Sequence, residues 1–145
     1  MAGETLPGHG LKGGRVLLLQ DESGRASGLA EGLRQRGCHV MVAKSSSKFF
    51  EMALNMQPDI ILLHLMSSLI DGPALCCALK ADARVSDIPV ILVTGVSSAG
   101  SRVKGLEAGA VDHVEAPFDL REILLRMAIH RRGRRASALV GRAGK

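Results

Sequence analysis

The side chains able to do chemistry in this 145-residue chain gather just after its apolar runs. Gln20, Asp21 and Glu22 follow the run 16–19, His64 follows 60–63, and Thr94 follows 90–93. Glu115, Ala116, Pro117 and Phe118 follow the weaker run 110–114. The Thr94 hydroxyl can both donate and accept a hydrogen bond. His64 carries an imidazole, a base or a soft ligand, although a lone histidine is more often a packed or hydrogen-bonded residue. Two glycine-rich stretches carry less weight. Residues 8–13 read GxGxxG but precede the first strand, so they cannot set a pyrophosphate on a helix N-terminus. Residues 95–101 resemble a phosphate loop but lack its lysine.

The elements that must position these groups alternate. The runs 60–63 and 90–93 are continuous rather than alternating, as expected for parallel strands buried on both faces. Runs 16–19 and 40–43 precede them, and 110–114 suits an edge strand. Between the strands lie segments of helical spacing. Leu29 and Leu33 mark the first, within 23–36, with Gly37 as a stop. Phe49, Ala53 and Met56 mark the second, opened by serines that can cap it. Leu75, Cys76 and Leu79 mark the third, and Val103, Leu106 and Ala110 the fourth. A fifth, begun by Asp119, has apolar positions at Leu120, Ile123, Leu124 and Met127 and ends near Arg131 and Arg132. Five strand–helix repeats predict an α/β fold, an open parallel five-stranded sheet with helices on both faces. The flavodoxin-like (βα)5 order 2-1-3-4-5 is expected, with functional groups at the carboxyl ends of the strands.

Composition narrows the function classes. There is no Trp or Tyr and there are three Phe, so base-stacking recognition of single-stranded nucleic acid is disfavoured. Three cysteines without a CxxC pair indicate neither a zinc knuckle nor a dithiol site. No apolar stretch reaches membrane-spanning length, and residues 1–14 lack a signal-peptide core, so a cytoplasmic protein is expected. The net charge of +5 is uneven: seven Lys or Arg and no acid lie from Arg126 onward, leaving the rest of the chain at 12 − 14 = −2. The expected organisation is a flexible leader over 1–14, one domain over 15–132 and a basic, disordered tail or linker over 133–145.

The ordered set formed by Gln20-Asp21-Glu22, His64, Asp71-Gly72, Thr94-Gly95 and Ala116-Pro117 resembles the receiver domain of bacterial response regulators. The resemblance covers roughly residues 15–132. It implies a two-component signalling module in which an aspartate closing the third strand takes a phosphoryl group from a histidine kinase. It also implies a pair of acids after the first strand that hold Mg²⁺, a threonine that bonds the phosphoryl group, and a lysine before a cis proline. In this chain those positions are His64, Gln20 and Asp21, Thr94, and Ala116 before Pro117. Glu22 is an additional neighbouring acid, and the family's aromatic switch position is His113. An imidazole cannot form the aspartyl phosphate, and the phosphate-binding cation is missing.

The resemblance therefore implies a degenerate receiver, a pseudo-receiver. No enzymatic activity and no cofactor are expected, with Mg²⁺ binding weak or lost and Asp21 its one residual ligand. The expected action is protein–protein interaction without phosphorylation. The partner would be a histidine kinase, an output domain or a second copy, met through the fourth helix, fifth strand and fifth helix. Polar residues there, Arg102, Lys104, His113, Asp119, Arg121 and Arg126, are the candidate contacts. Two alternatives stand beside it: an unconventional phosphoreceiver using His64, Asp21, Ser67 or Ser68, and an adaptor that binds nucleic acid through the arginine-rich tail. Neither nucleic-acid nor membrane binding is the expected outcome.

Overall fold

The structure, a computed structural model, describes residues 13–21, 28–67, 69–95 and 99–143. Among the described residues, five strands alternate with five helices: β1 (Arg15–Gln20), α1 (Leu29–Gln35), β2 (His39–Ala43), α2 (Ser46–Met56), β3 (Ile60–Leu65), α3 (Gly72–Ala81), β4 (Val90–Thr94), α4 (Ala99–Glu107), β5 (Asp112–Glu115) and α5 (Leu120–Ala143). All neighbouring strands are parallel, in the order β2-β1-β3-β4-β5. This is the flavodoxin-like (βα)5 arrangement and strand order that the sequence pattern predicts.

Because successive strand residues face opposite sides, the sheet has two cores. Val16, Leu18, Ile60, Leu62, Ile91 and Val93 pack with α1 and α5. Leu17, Leu19, Ile61, Leu63, Val90 and Leu92 pack with α2 and α3 on the other face. β3 is buried at every position, which is why its run is continuous rather than alternating. Caps fix where helices begin. The Ser45 hydroxyl accepts from the Lys48 amide (3.2 Å) at α2, and the Asp71 carboxylate accepts from the Ala74 amide (3.0 Å) at α3. Gly109 ends the turn after α4 at φ 109°, and a Cβ there would lie 2.6 Å from Lys80 Cγ.

Three expectations are corrected. Val103 and Leu106 do not face the core; they are 51% and 49% exposed. The inward position of α4 is Gly105, set so tightly on the sheet that a Cβ would come within 2.5 Å of Leu92 Cδ1. Second, α5 does not stop near Arg132 but is helical to Ala143, across the segment expected to be disordered. Arg, Ala and Leu, good helix formers, make up seven of the ten residues 134–143, and Gly133 and Gly141 are the weakest positions of the extension. Third, Arg131 does not sit at the negative end of the helix, which runs on to Ala143. It is 7% exposed and approaches Asp59 (3.7 Å), whose carboxylate also accepts from the Arg15 amide (2.8 Å) at the amino edge of the sheet. The first helix, α1, is described only from Leu29, so its expected start near Ser23 lies outside the described residues. The leader over residues 1–12 lies outside them as well.

Candidate functional site at the carboxyl end of the sheet

Parallel strands bring their last residues to one edge, and register sets which of them meet. Gln20 pairs with His64 across β1 and β3, and His64 with Val93 across β3 and β4. Alternation points Gln20 and His64 to the α1–α5 side, with Val93. Thr94, one residue on, faces the other side and lines the space between α3 and α4. The predicted residues are therefore divided between two neighbouring places.

On the first side, His64 is 0% exposed and neither ring nitrogen has a hydrogen-bond partner. Its ring stands edge-on to Phe118, with centroids 5.6 Å apart and planes at 76°. Burial disfavours the charged ring and lowers its pKa from 6.5, against the pull of the Asp21 carboxylate. The Oε1 of Gln20 is likewise buried without a partner. Asp21 follows β1, donates its amide to the His64 carbonyl (3.3 Å) and accepts from the Ser67 amide (2.8 Å). Ala116 donates its amide to the Thr94 carbonyl (2.8 Å) and brings no charge, and the Ala116–Pro117 bond is cis. Glu22 and Ser68 lie outside the described residues.

On the second side, Thr94 Oγ1 lies 2.7 Å from His113 Nε2 and donates to the Gly95 carbonyl (3.1 Å). Both residues border a groove of about 850 Å³ over Leu92, between α3 and α4, with Ile70, Pro73 and Lys104 among its walls. Burial also lowers the His113 pKa, with Glu115 and Asp112 opposing and Arg102 assisting.

The contact candidates differ in how free they are. Arg102 pairs with Glu115 (3.0 Å). Arg126 donates to both oxygens of Asp112 (3.0 and 2.9 Å) and approaches Glu122 (3.4 Å). Asp119 accepts from the Arg121 amide (2.6 Å) ahead of α5. The side chains of Lys104 and Arg121 are exposed. Sequence reasoning missed Asp112, the hub of this face, which also bonds His130 Nε2 (3.0 Å). Burial works to raise its carboxyl, but the bonds from Arg126, His130 and the His113 amide outweigh it and hold the pKa low. Partners 14 and 18 residues away leave no local signal. Leu125 and Ile129, exposed beside it, were findable from their i,i+4 spacing. Among the described residues, no group of three or more His, Cys, Asp or Glu side chains is placed to hold a metal. No described helix is long and apolar enough to cross a membrane.

An open parallel α/β domain with its polar groups at the carboxyl ends of β1, β3 and β4 is the architecture of a signal receiver. A family model for the response regulator receiver domain matches residues 16–128, and the chain belongs to that family. It is 34% identical over 113 residues to the DNA-binding dual master transcriptional regulator RpaA of Synechocystis, covering 78% of this chain and 47% of that protein. It is 36% identical over 129 residues to the transcriptional regulatory protein PrrA of Mycobacterium leprae, covering 89% and 54%. The chain thus spans about half the length of the curated relatives it matches. The receiver domain of a signal transduction histidine kinase from Syntrophus aciditrophicus superposes with a TM-score of 0.72 at 27% identity, over 83% of this chain and 91% of that one.

Proposed function

We propose that this chain is a receiver-type signalling module that works through protein contacts without phosphoryl transfer. The observation that carries this reading is the state of His64. At the position matching the family's phosphoacceptor stands an imidazole that is fully buried, turned against Phe118 and closed to a phosphodonor. Its surroundings agree. Phosphoryl transfer depends on positioned cations that neutralise developing charge. Ala116 supplies none, and the Thr94 hydroxyl is engaged by His113 and Gly95. An amide, one carboxylate and an imidazole are also a poor donor set for Mg²⁺, which wants several oxygens in octahedral geometry. On this reading Mg²⁺ binds weakly and the domain is not an enzyme.

The working surface would be the face built by α4, β5 and α5. Five half-exposed apolar residues, Val103, Leu106, Val111, Leu125 and Ile129, lie on or beside these elements, around the Asp112–Arg126 and Arg102–Glu115 pairs. Apolar patches rimmed by charge mark protein contact sites. A second copy, a histidine kinase or an output domain in the same cytoplasmic pathway would meet it there.

Incubation with acetyl phosphate and Mg²⁺, followed by intact mass spectrometry, tests the reading. An unchanged mass is expected. A stoichiometric phosphoryl adduct that His64→Ala abolishes would overturn it in favour of an unconventional phosphoreceiver.

A further inference from the structure

The hydrogen bond between Thr94 and His113 fixes the proton on the ring. Thr94 Oγ1 has a single hydrogen, and the Gly95 carbonyl 3.1 Å away can only accept it. The 2.7 Å contact is then completed by a hydrogen on His113 Nε2. The opposite assignment would leave a hydrogen on Nδ1. That nitrogen is buried without a partner, and an orphaned buried donor is the costlier choice. Neutral His113 is thus the Nε2–H tautomer, with a bare Nδ1 facing protein.

A second proton must go on Nδ1, where no acceptor waits. A buried, unpaired N–H⁺ is far more costly than a bare nitrogen. The ring can escape by turning Nδ1 toward the open groove or toward a carboxylate, and either motion breaks the 2.7 Å bond. We propose that His113 is a proton-operated catch: neutral, it holds Thr94 and the β4 wall of the α3–α4 groove; protonated, it lets go.

The charges around the ring are mixed, so none of them cancels this effect. Its own strand brings Asp112 and Glu115, each already paired, with Arg126 and Arg102 respectively. α4 brings Arg102, Lys104 and Glu107, α5 brings Arg126 and His130 through Asp112, and Asp71 stands across the groove at the start of α3. Burial is the largest influence and favours the neutral ring, so release belongs below pH 6.5 rather than above it. The inference does not rest on the phosphate-independent reading, because a proton would release Thr94 in a phosphorylated chain as well.

NMR on the full chain tests it. Long-range ¹H–¹⁵N spectra of the histidine rings at pH 8 should show Nδ1 of His113 bare. On titration to pH 5, the ring should protonate with a midpoint below 6.5, and the Thr94 and Gly95 amides should shift with that same midpoint. In His113→Gln, which keeps a neutral donor, that midpoint should vanish from both amides. A midpoint at or above 6.5, or Thr94 and Gly95 amides that ignore the titration of the ring, would overturn the proposal. The wild-type titration decides on its own if the variant does not fold, and the phosphodonor experiment above can succeed or fail independently of it.

Discussion

Replacing His64 by leucine should stabilise the protein. The imidazole is fully buried with two unpaired nitrogens beside the equally unpaired Gln20 Oε1. A buried polar group without a partner costs about 1–3 kcal/mol. A leucine of similar volume removes that cost and keeps the contacts with Val93 and the rest of this core. It loses the edge-on contact with Phe118, worth about 0.5–1.5 kcal/mol beyond area burial. The balance is a gain of about 1 kcal/mol, or a rise in Tm of about 4 °C for a domain of this size. Urea denaturation at pH 7.5 would measure it. The pH dependence is a second reading of the same cause. The folded-state pKa of His64 lies below its ordinary 6.5, so its share of stability is intact above 6.5. That share is lost as the pH falls from there through the folded value. The wild type should therefore weaken between neutral and mildly acidic pH more than His64→Leu does. A leucine variant less stable than wild type by more than about 1 kcal/mol at pH 7.5 would refute the argument, because it would mean the ring is satisfied by a partner.

Gly109→Ala should destabilise by about 1–3 kcal/mol, since φ of 109° is poorly open to an L side chain and the new Cβ would meet Lys80; thermal denaturation checks it, and a neutral effect would contradict the strain. Truncation after Arg132 should lower the helical ellipticity at 222 nm, because α5 is helical to Ala143; an unchanged signal would mean that 133–143 is not helical in solution.

The sheet was legible because its physics is local. Two-faced burial makes β3 and β4 continuous apolar runs, and right-handed crossovers leave few ways to connect them. The candidate site was legible as a set of positions, since parallel strands must end on one edge. What sequence could not supply was the environment of each side chain. Helical spacing marked Val103 and Leu106 as a face, but not which way it turned; a glycine at 105 lets the helix lie on its smallest residue instead. Nothing in the run ending at His64 announces that Phe118, 54 residues later, closes over the ring. Arginine-rich composition suggested an unstructured tail, whereas Arg and Ala favour helix once a preceding turn removes the cost of nucleation. Likewise Arg131 was expected at the end of α5, with its charge against the helix's negative end, and only the tertiary arrangement puts Asp59 within reach of it.

That contact gives α5 a fulcrum. The helix starts at the carboxyl edge of the sheet with Leu120, crosses the domain, and is clamped at the amino edge by Arg131 against Asp59. Beyond the clamp, residues 132–143 extend it by about 18 Å at 1.5 Å per residue. The arm from Leu120 to Arg131 is about 17 Å long by the same rise, so a rigid rod held at Arg131 passes a tilt at one end to the other in the opposite sense and at about the same amplitude. Movements around Phe118 and Leu120 would therefore reach the far side of the molecule as a change in the bearing of this arm. A partner gripping residues 133–143 would sense the state of the opposite edge without touching it.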